Sequence, residues 1–330
     1  MSPGLPAVAL AKVGPVLVTG AAGFAGSHLL EHLAARGDVT GWSRSAPPAG
    51  LADLARWQRV DLLARDTVRA ALRELQPAVV YHCAGVPHVA QSWTASARAL
   101  EGNVIGTHVL LDELRRLGQP VRCLITGSAT VYAATDDPVD EDARLAPASP
   151  YALSKLAQEA LALRTPQEDG IQVVVARAFN HTGPRQDPAF AAPSFARQIA
   201  LIERDAIEPV IRVGNLEPRR DFTDVRDVVR AYRLLMERGA AGRVYNVCSG
   251  VGRSIRSVLD ALVARSSKKV EIELDPEKLR PADTPALVGN PSRLMQETGW
   301  APERSFDDML DALLGYWRAT AGLKTEDRSA

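Results

Sequence analysis

Tyr151 and Lys155 stand four residues apart in the run Tyr151-Ala152-Leu153-Ser154-Lys155, so on a helix both side chains project from one face. A free tyrosine titrates near ~10, too high to exchange protons readily at neutral pH. A neighbouring ammonium favours the phenolate and would bring that value down. The pair suits acid–base work on a carbonyl or hydroxyl, and groups positioned in this way give typically ~10²–10⁴-fold in rate. Ser128 follows the apolar strand-like run Leu124-Ile125-Thr126 and can hydrogen-bond the same substrate oxygen, with Thr130 two residues further on. A Tyr-x-x-x-Lys spacing alone is common as an exposed helix face, so its weight rests on its surroundings.

Those surroundings include a phosphate-cradling turn. Val16-Leu17-Val18-Thr19 reads as a first strand, and Gly20-Ala21-Ala22-Gly23-Phe24-Ala25-Gly26 follows it directly and opens a helix. Gly20 can take a positive φ, Gly23 lets backbone approach a pyrophosphate, and Gly26 lets helix and strand pack closely. The helix N-terminus offers N–H groups and a positive dipole end to the phosphates, and Phe24 and Ala25 in the turn are expected to touch the cofactor. Strand, turn and helix in this order predict dinucleotide binding. An acid at the end of the second strand would hold the ribose of NAD. Here Trp42-Ser43-Arg44 stands in its place, and Arg44 can pair with a 2′-phosphate. NADP(H) is therefore favoured and NAD(H) stays possible, the bland alternative being a solvated arginine. Asp61 and Leu62 are expected beside the adenine, and Ala84, after His82 and Cys83, where the nicotinamide ribose passes.

These residues need a scaffold. Strands are predicted at 38–43, 78–83, 122–126 and 172–177, with helices at 27–36, 103–117 and 151–163 between them. Ser149 and Pro150 serve as cap and first residue of the last of these helices. Strands alternating with helices mean right-handed crossovers and a doubly wound parallel sheet, an α/β fold. The second half carries loops at 181–193 and 214–220, Ser-capped helices opening after Ser194, Ser254 and Ser305, and a shorter strand at 269–274. It reads as a smaller α/β substrate domain, with residues 245–248 returning to the sheet. The boundaries expected are 13–180 for the dinucleotide-binding domain, with 222–250 rejoining it, and 181–320 for the substrate domain.

The bulk of the chain fits this. Its 330 residues, 46% hydrophobic and 24% charged, can bury a sizeable core. Thirty-nine basic residues balance 39 acidic ones, so no positive field invites nucleic acid or a membrane surface. Cys83, Cys123 and Cys248 lie in apolar stretches without metal or disulfide spacing, which points to buried thiols in a reducing, cytoplasmic setting and to no metal. The first 14 residues lack a basic start and a long apolar run, and read as a loose tail rather than a signal peptide.

Taken together, the turn, the Ser128 strand end and the Tyr151/Lys155 pair resemble the extended short-chain dehydrogenase/reductase superfamily, over nearly the whole chain. The resemblance implies an N-terminal Rossmann domain, a C-terminal nucleotide-sugar domain, and a homodimer built through the helices at 103–117 and 151–163. The segments Arg177–Pro184, Val213–Asp227, Tyr245–Gly250 and Leu279–Asp283 are similar to its GDP-sugar branch. That likeness implies that Asn180, Arg220 and Arg280 clamp the diphosphate and ribose and that Asp283 meets a ribose hydroxyl. Arg197 is a further phosphate or base candidate. Arg219 is expected at the surface, His181 packed in its loop, and Asp224 and Asp227 fixing loops. Dehydratase relatives carry a glutamate two residues after the active-site hydroxyl, to take a proton from carbon. Thr130 occupies that place, and a hydroxyl is a poor carbon base. The activity implied is reduction of the C4 ketone of a GDP-linked 4-keto-6-deoxy sugar, the alternatives being a nucleotide-sugar 4-epimerase holding NAD tightly and a GDP-mannose 4,6-dehydratase.

Overall fold

A computed structural model describes residues 14–164, 170–278 and 284–320. In chain order the first half forms β1 (Val16–Thr19), α1 (Phe24–Ala34), β2 (Val39–Ser43), β3 (Arg56–Arg59), α2 (Arg65–Leu75), β4 (Val79–His82), the short α3 (Val89–Ser92) and α4 (Ser96–Leu100), α5 (Gly106–Arg115), β5 (Val121–Ser128), α6 (Pro150–Leu163) and β6 (Ile171–Ala178). The second half adds β7 (Asn180–Thr182), α7 (Ala191–Glu203), β8 (Val210–Val213), β9 (Arg219–Asp224), α8 (Val225–Arg238), β10 (Val244–Val247), β11 (Gly252–Ser254), α9 (Ile255–Val263), β12 (Glu271–Leu274), β13 (Ala286–Leu287), α10 (Ser292–Thr298) and α11 (Phe306–Thr320).

Seven of these strands make one sheet in the order β3-β2-β1-β4-β5-β6-β10, and every pairing is parallel. The order reverses between β1 and β4. Their crossovers leave in opposite directions there and open a crevice at the carboxyl ends of the strands. The strands are apolar and mostly β-branched because both faces are covered. On one face α1 and α8 pack over Val18, Leu30, Tyr81, Val174 and Tyr232; on the other α2, α5 and α6 enclose Leu17, Val80, Leu110, Ile125 and Val175. Each such fully buried aliphatic side chain contributes about 1.5–3 kcal/mol. As expected, residues 244–247 return to the sheet, beside β6.

A separate core forms in the second half, where α7, α9 and α11 bury Phe195, Ile199, Leu259, Leu310 and Leu313. Strands β11, β9 and β13, with β7 on β9, make a small mixed sheet, and β8 pairs with β12. Three local readings change. Helix α7 begins at Ala191 after Phe190, so Ser194 lies in its first turn rather than capping it; an extended Phe190 starts the helix four residues early. Residues 103–105 belong to a wide π-type turn, Glu101–Ile105, from which α5 continues. Helix α1 starts at Phe24, which brings the glycine turn right up to its N-terminus. The caps at Ser149, Ser254 and Ser305 form, the last with Asp308 as a reciprocal box. Among the described residues no helix is long and apolar enough to cross a membrane.

Candidate active site

The glycine turn is built so tightly that side chains are excluded. Gly20 has φ +67°, and a Cβ on it would lie 2.6 Å from the backbone N of Ala84. A Cβ on Gly26 would lie 2.1 Å from the Gly20 carbonyl oxygen. Gly23 starts α1 without a side-chain cap and is exposed, with Phe24 and Ala25 half-buried behind it. The helix therefore presents its N-terminal N–H groups at the mouth of the crevice, a cradle that fits a diphosphate. Phe24 stacks on His181 with ring centroids 5.6 Å apart, joining this turn to β7.

At the end of β2, Arg44 is exposed and borders a cavity of about 450 Å³ together with Ser45, Pro47, Trp57 and Arg59. Arg59 was not singled out from the sequence. Parallel pairing sets it opposite Ser43, so two guanidinium groups border one hollow at the sheet edge. Asp61 accepts a hydrogen bond from the Leu63 N–H at 3.0 Å and closes the turn after β3. Leu62 packs near Gly106 of α5. Ala84 donates its N–H to the Thr19 hydroxyl at 3.4 Å, at the reversal point of the sheet.

The proton-transfer set converges at the end of β5. Ser128 and Thr130 are hydroxyl to hydroxyl at 2.9 Å. The Tyr151 phenol is hydrogen-bonded to Ser128, which favours its ionisation, but burial outweighs this and raises the phenol above its ordinary value. The cation expected to lower it is hydrogen-bonded to other groups. Lys155, almost wholly buried, donates from Nζ to the Thr126 carbonyl and to Gln158 Oε1, each at 2.5 Å. Desolvation pulls the lysine down to about 8, against the opposing influence of Cys83 and Glu159. The expectation that Lys155 depresses Tyr151 is thus corrected. A phenol that stays protonated is a proton donor, the role a ketone reduction requires.

Several contributors were missed in the sequence. His82 is fully buried, 2.8 Å from Thr19 Oγ1 on one ring nitrogen and 2.8 Å from Thr107 Oγ1 on the other, and burial pushes its pKa down to about 3. Asn103, in the π-type turn, accepts from the Val86 N–H at 2.8 Å and donates to Ser154 at 2.9 Å, holding the loop after β4 against α6. The Ser92 hydroxyl accepts the Tyr151 N–H at 3.1 Å. The one local signal was Gln158, three residues past Lys155 and hence beside it on α6.

The residues expected on the sugar side are spread over three elements. Asn180 is exposed on β7, opposite Phe222 of β9, and Arg220 is half-buried two residues before Phe222. Arg220 donates to the Arg219 carbonyl at 2.9 Å. Arg197 is half-buried on α7, next to Gln198, which borders a second cavity of about 410 Å³ with Arg212 and Lys278. Arg280 and Asp283 lie outside the described residues. Arg219 is exposed, His181 Nδ1 donates to the Phe179 carbonyl within its own loop, Asp224 caps α8, and Asp227 accepts the N–H groups of Glu303 and Arg304. Among the described residues no group of His, Cys, Asp and Glu side chains could hold a metal ion.

Residues 17–313 match the family described as GDP-mannose 4,6 dehydratase. The chain belongs to that family. Within it, the sequence is 38% identical to the GDP-6-deoxy-D-mannose reductase of Pseudomonas aeruginosa, over 92% of this chain and 97% of that protein. The fold superposes on the structure of RMD from Pseudomonas aeruginosa complexed with NADPH at a TM-score of 0.83, with 36% identity, covering 93% of this chain and 99% of that one. It also superposes on a Thermus thermophilus UDP-glucose 4-epimerase in complex with NAD, at a TM-score of 0.82 and 30% identity over 93% and 99% of the two chains. The family name notwithstanding, Thr130 places a hydroxyl beside Ser128, where a dehydratase needs a base.

Proposed function

We propose that this protein reduces the C4 ketone of GDP-4-dehydro-6-deoxy-D-mannose to GDP-6-deoxy-D-mannose, with NADPH favoured over NADH as reductant. The observation that carries the reading is the meeting of Ser128, Thr130 and a protonated Tyr151 at the end of β5, with no carboxylate in Thr130's place. Similarity along nearly the full length of a reductase of that substrate supports it. The dinucleotide would lie on Gly20, Gly23, Phe24 and Ala25, with Ala84, Asp61 and Leu62 along its path, and when bound it supplies the hydride that goes to C4. Ser128 and Thr130 orient the ketone oxygen. Tyr151 gives its proton to that oxygen as charge develops there, so one hydride and one proton convert C=O to CH–OH. Lys155 would hold the nicotinamide ribose. Arg44 and Arg59 support a 2′-phosphate, and a structure with NADPH in a similar chain agrees.

Residues 181–320 serve as the nucleotide-sugar half in this reading, with Asn180, Arg197 and Arg220 for the diphosphate or base and Arg280 and Asp283 completing the set. A homodimer through α5 and α6 is supported by exposed Leu153 on α6 and by exposed Leu100 and Ile105, at the end of α4 and in the turn that leads into α5. A cytoplasmic setting is supported by the unpaired cysteines 83, 123 and 248. Mixing the protein with the GDP-keto sugar and NADPH, following absorbance loss and assigning the product by NMR, tests the function. The epimerase reading has its own support in the Ser128-Ala129-Thr130 run and in the NAD-bound epimerase superposition. NAD carried through gel filtration, with no NADPH loss, would replace the reductase by the epimerase.

A further inference from the structure

Among the described lysines (Lys155, Lys268, Lys269 and Lys278), Lys155 is the one that lies in the core of the sheet-and-helix half. Its ammonium is met by an amide whose direction is set from outside. Gln158 Oε1 accepts from Lys155 at 2.5 Å, while Gln158 Nε2 donates to the Thr107 hydroxyl at 2.7 Å. Thr107 in turn donates to the Asn103 carbonyl at 2.7 Å, which leaves its oxygen to accept. It accepts from Gln158 and, at 2.8 Å, from His82 Nε2. His82 Nδ1 is then the acceptor, and the Thr19 hydroxyl donates to it at 2.8 Å. Thr19 is the residue before Gly20. Every member of this chain is buried: Thr19, His82, Thr107, Gln158 and Lys155 are at most 5% exposed.

We infer that Gln158 is a positioning residue for Lys155: its amide, turned by Thr107, fixes where the ammonium sits and ties it through His82 to the end of β1 at the phosphate turn. A flipped amide would set an NH₂ group against the ammonium and the carbonyl oxygen against Thr107, whose proton already goes to Asn103. Both contacts would be lost among groups that are at most 5% exposed, where leaving a polar group unpaired is costly. The arrangement has one low-energy direction. The charged or titratable groups acting on Lys155 are His82 and Cys83 from the end of β4 and Glu159 from α6 itself; Glu159 is engaged by Arg177 of β6 in a buried pair. Gln158 is thus the neutral partner, and its replacement changes the support of the ammonium without removing a charge.

The inference rests on the reductase reading only for its kinetic arm. With lysine Cε labelled by ¹³C, the ligand-free protein gives few signals, and Lys155→Arg assigns the one of interest. Gln158→Leu deletes the acceptor and Gln158→Glu makes it anionic. The Lys155 midpoint is expected to fall by about one pH unit in the first and to rise by about one in the second. The alkaline limb of kcat for the keto sugar follows the same two directions, whereas general loosening of the fold would lower kcat in both without opposite displacements. Thr107→Val, which removes only the hydroxyl that turns the amide, lowers the midpoint and serves if the carboxylate variant does not fold. A Lys155 midpoint unmoved in Gln158→Leu and Thr107→Val overturns the inference, even with reductase activity intact. Midpoints displaced as stated in a protein that never consumes NADPH overturn the reductase reading and leave the inference standing.

Discussion

The hydroxyls of Ser128 and Thr130 face each other across 2.9 Å at the end of β5. A carboxylate at Thr130 could pull a proton from carbon, but this hydroxyl can only give or accept a hydrogen bond. GDP-mannose with NADP⁺ should therefore yield no 4-keto-6-deoxy product, as read by NMR of the sugar. Thr130→Val should lower kcat for the keto sugar by about fivefold, the loss of one neutral hydrogen bond of about 1 kcal/mol.

Tyr151→Phe removes the proton donor and leaves the ring. NADPH consumption with the keto sugar should fall by about 10²–10⁴-fold. NADPH affinity, read by nicotinamide fluorescence, should change little. The pH dependence has a definite sign. Reduction needs both Tyr151 and Lys155 protonated; burial holds the tyrosine above its ordinary value and the lysine down at about 8. Activity should hold on the acid side and decline as pH rises through about 8. A rate that climbs across that range would contradict the assignment.

Arg44 and Arg59 flank the hollow at the edge of β2 and β3. Both are exposed, so salt screens them and each contributes toward the lower end of the ~1.5–3 kcal/mol of a charged hydrogen bond. Arg44→Ala and Arg59→Ala should each raise KM for NADPH by about tenfold and leave KM for NADH unchanged. Equal effects on the two reductants would remove the 2′-phosphate from the explanation.

Arg177 and Glu159 form a buried two-pronged pair, Nε to Oε2 at 2.9 Å and Nη2 to Oε1 at 2.5 Å, and Arg177 also reaches the Tyr132 hydroxyl at 2.8 Å. Glu159→Leu strands the guanidinium and should cost about 3–5 kcal/mol in urea unfolding. Adding Arg177→Met should recover most of that loss, because two well-packed apolar groups replace a pair whose desolvation offsets much of its attraction. An unchanged midpoint in the single variant would show that water reaches the pair.

Local chemistry made much of this molecule readable from its residues. The Thr19-Gly20 turn, the apolar runs of the parallel strands, the Ser149-Pro150 start of α6 and the Tyr151/Lys155 spacing all depend on neighbours within a few positions, where backbone geometry alone dictates which groups share a face. Ser194 misled because serine serves a first turn as readily as a cap, and the extended backbone of Phe190 settled the matter. The surroundings of those same residues followed a different rule. His82 reaches Thr19 across 63 positions, Gln158 reaches Thr107 across 51, and Arg59 joins Arg44 through the lateral order of strands. Such contacts arise when a sheet closes in one particular sequence of strands and shuts out water, which forces every enclosed polar group to find a partner. That closure, which no spacing along the chain encodes, set Lys155 against the Thr126 carbonyl and left Tyr151 its proton.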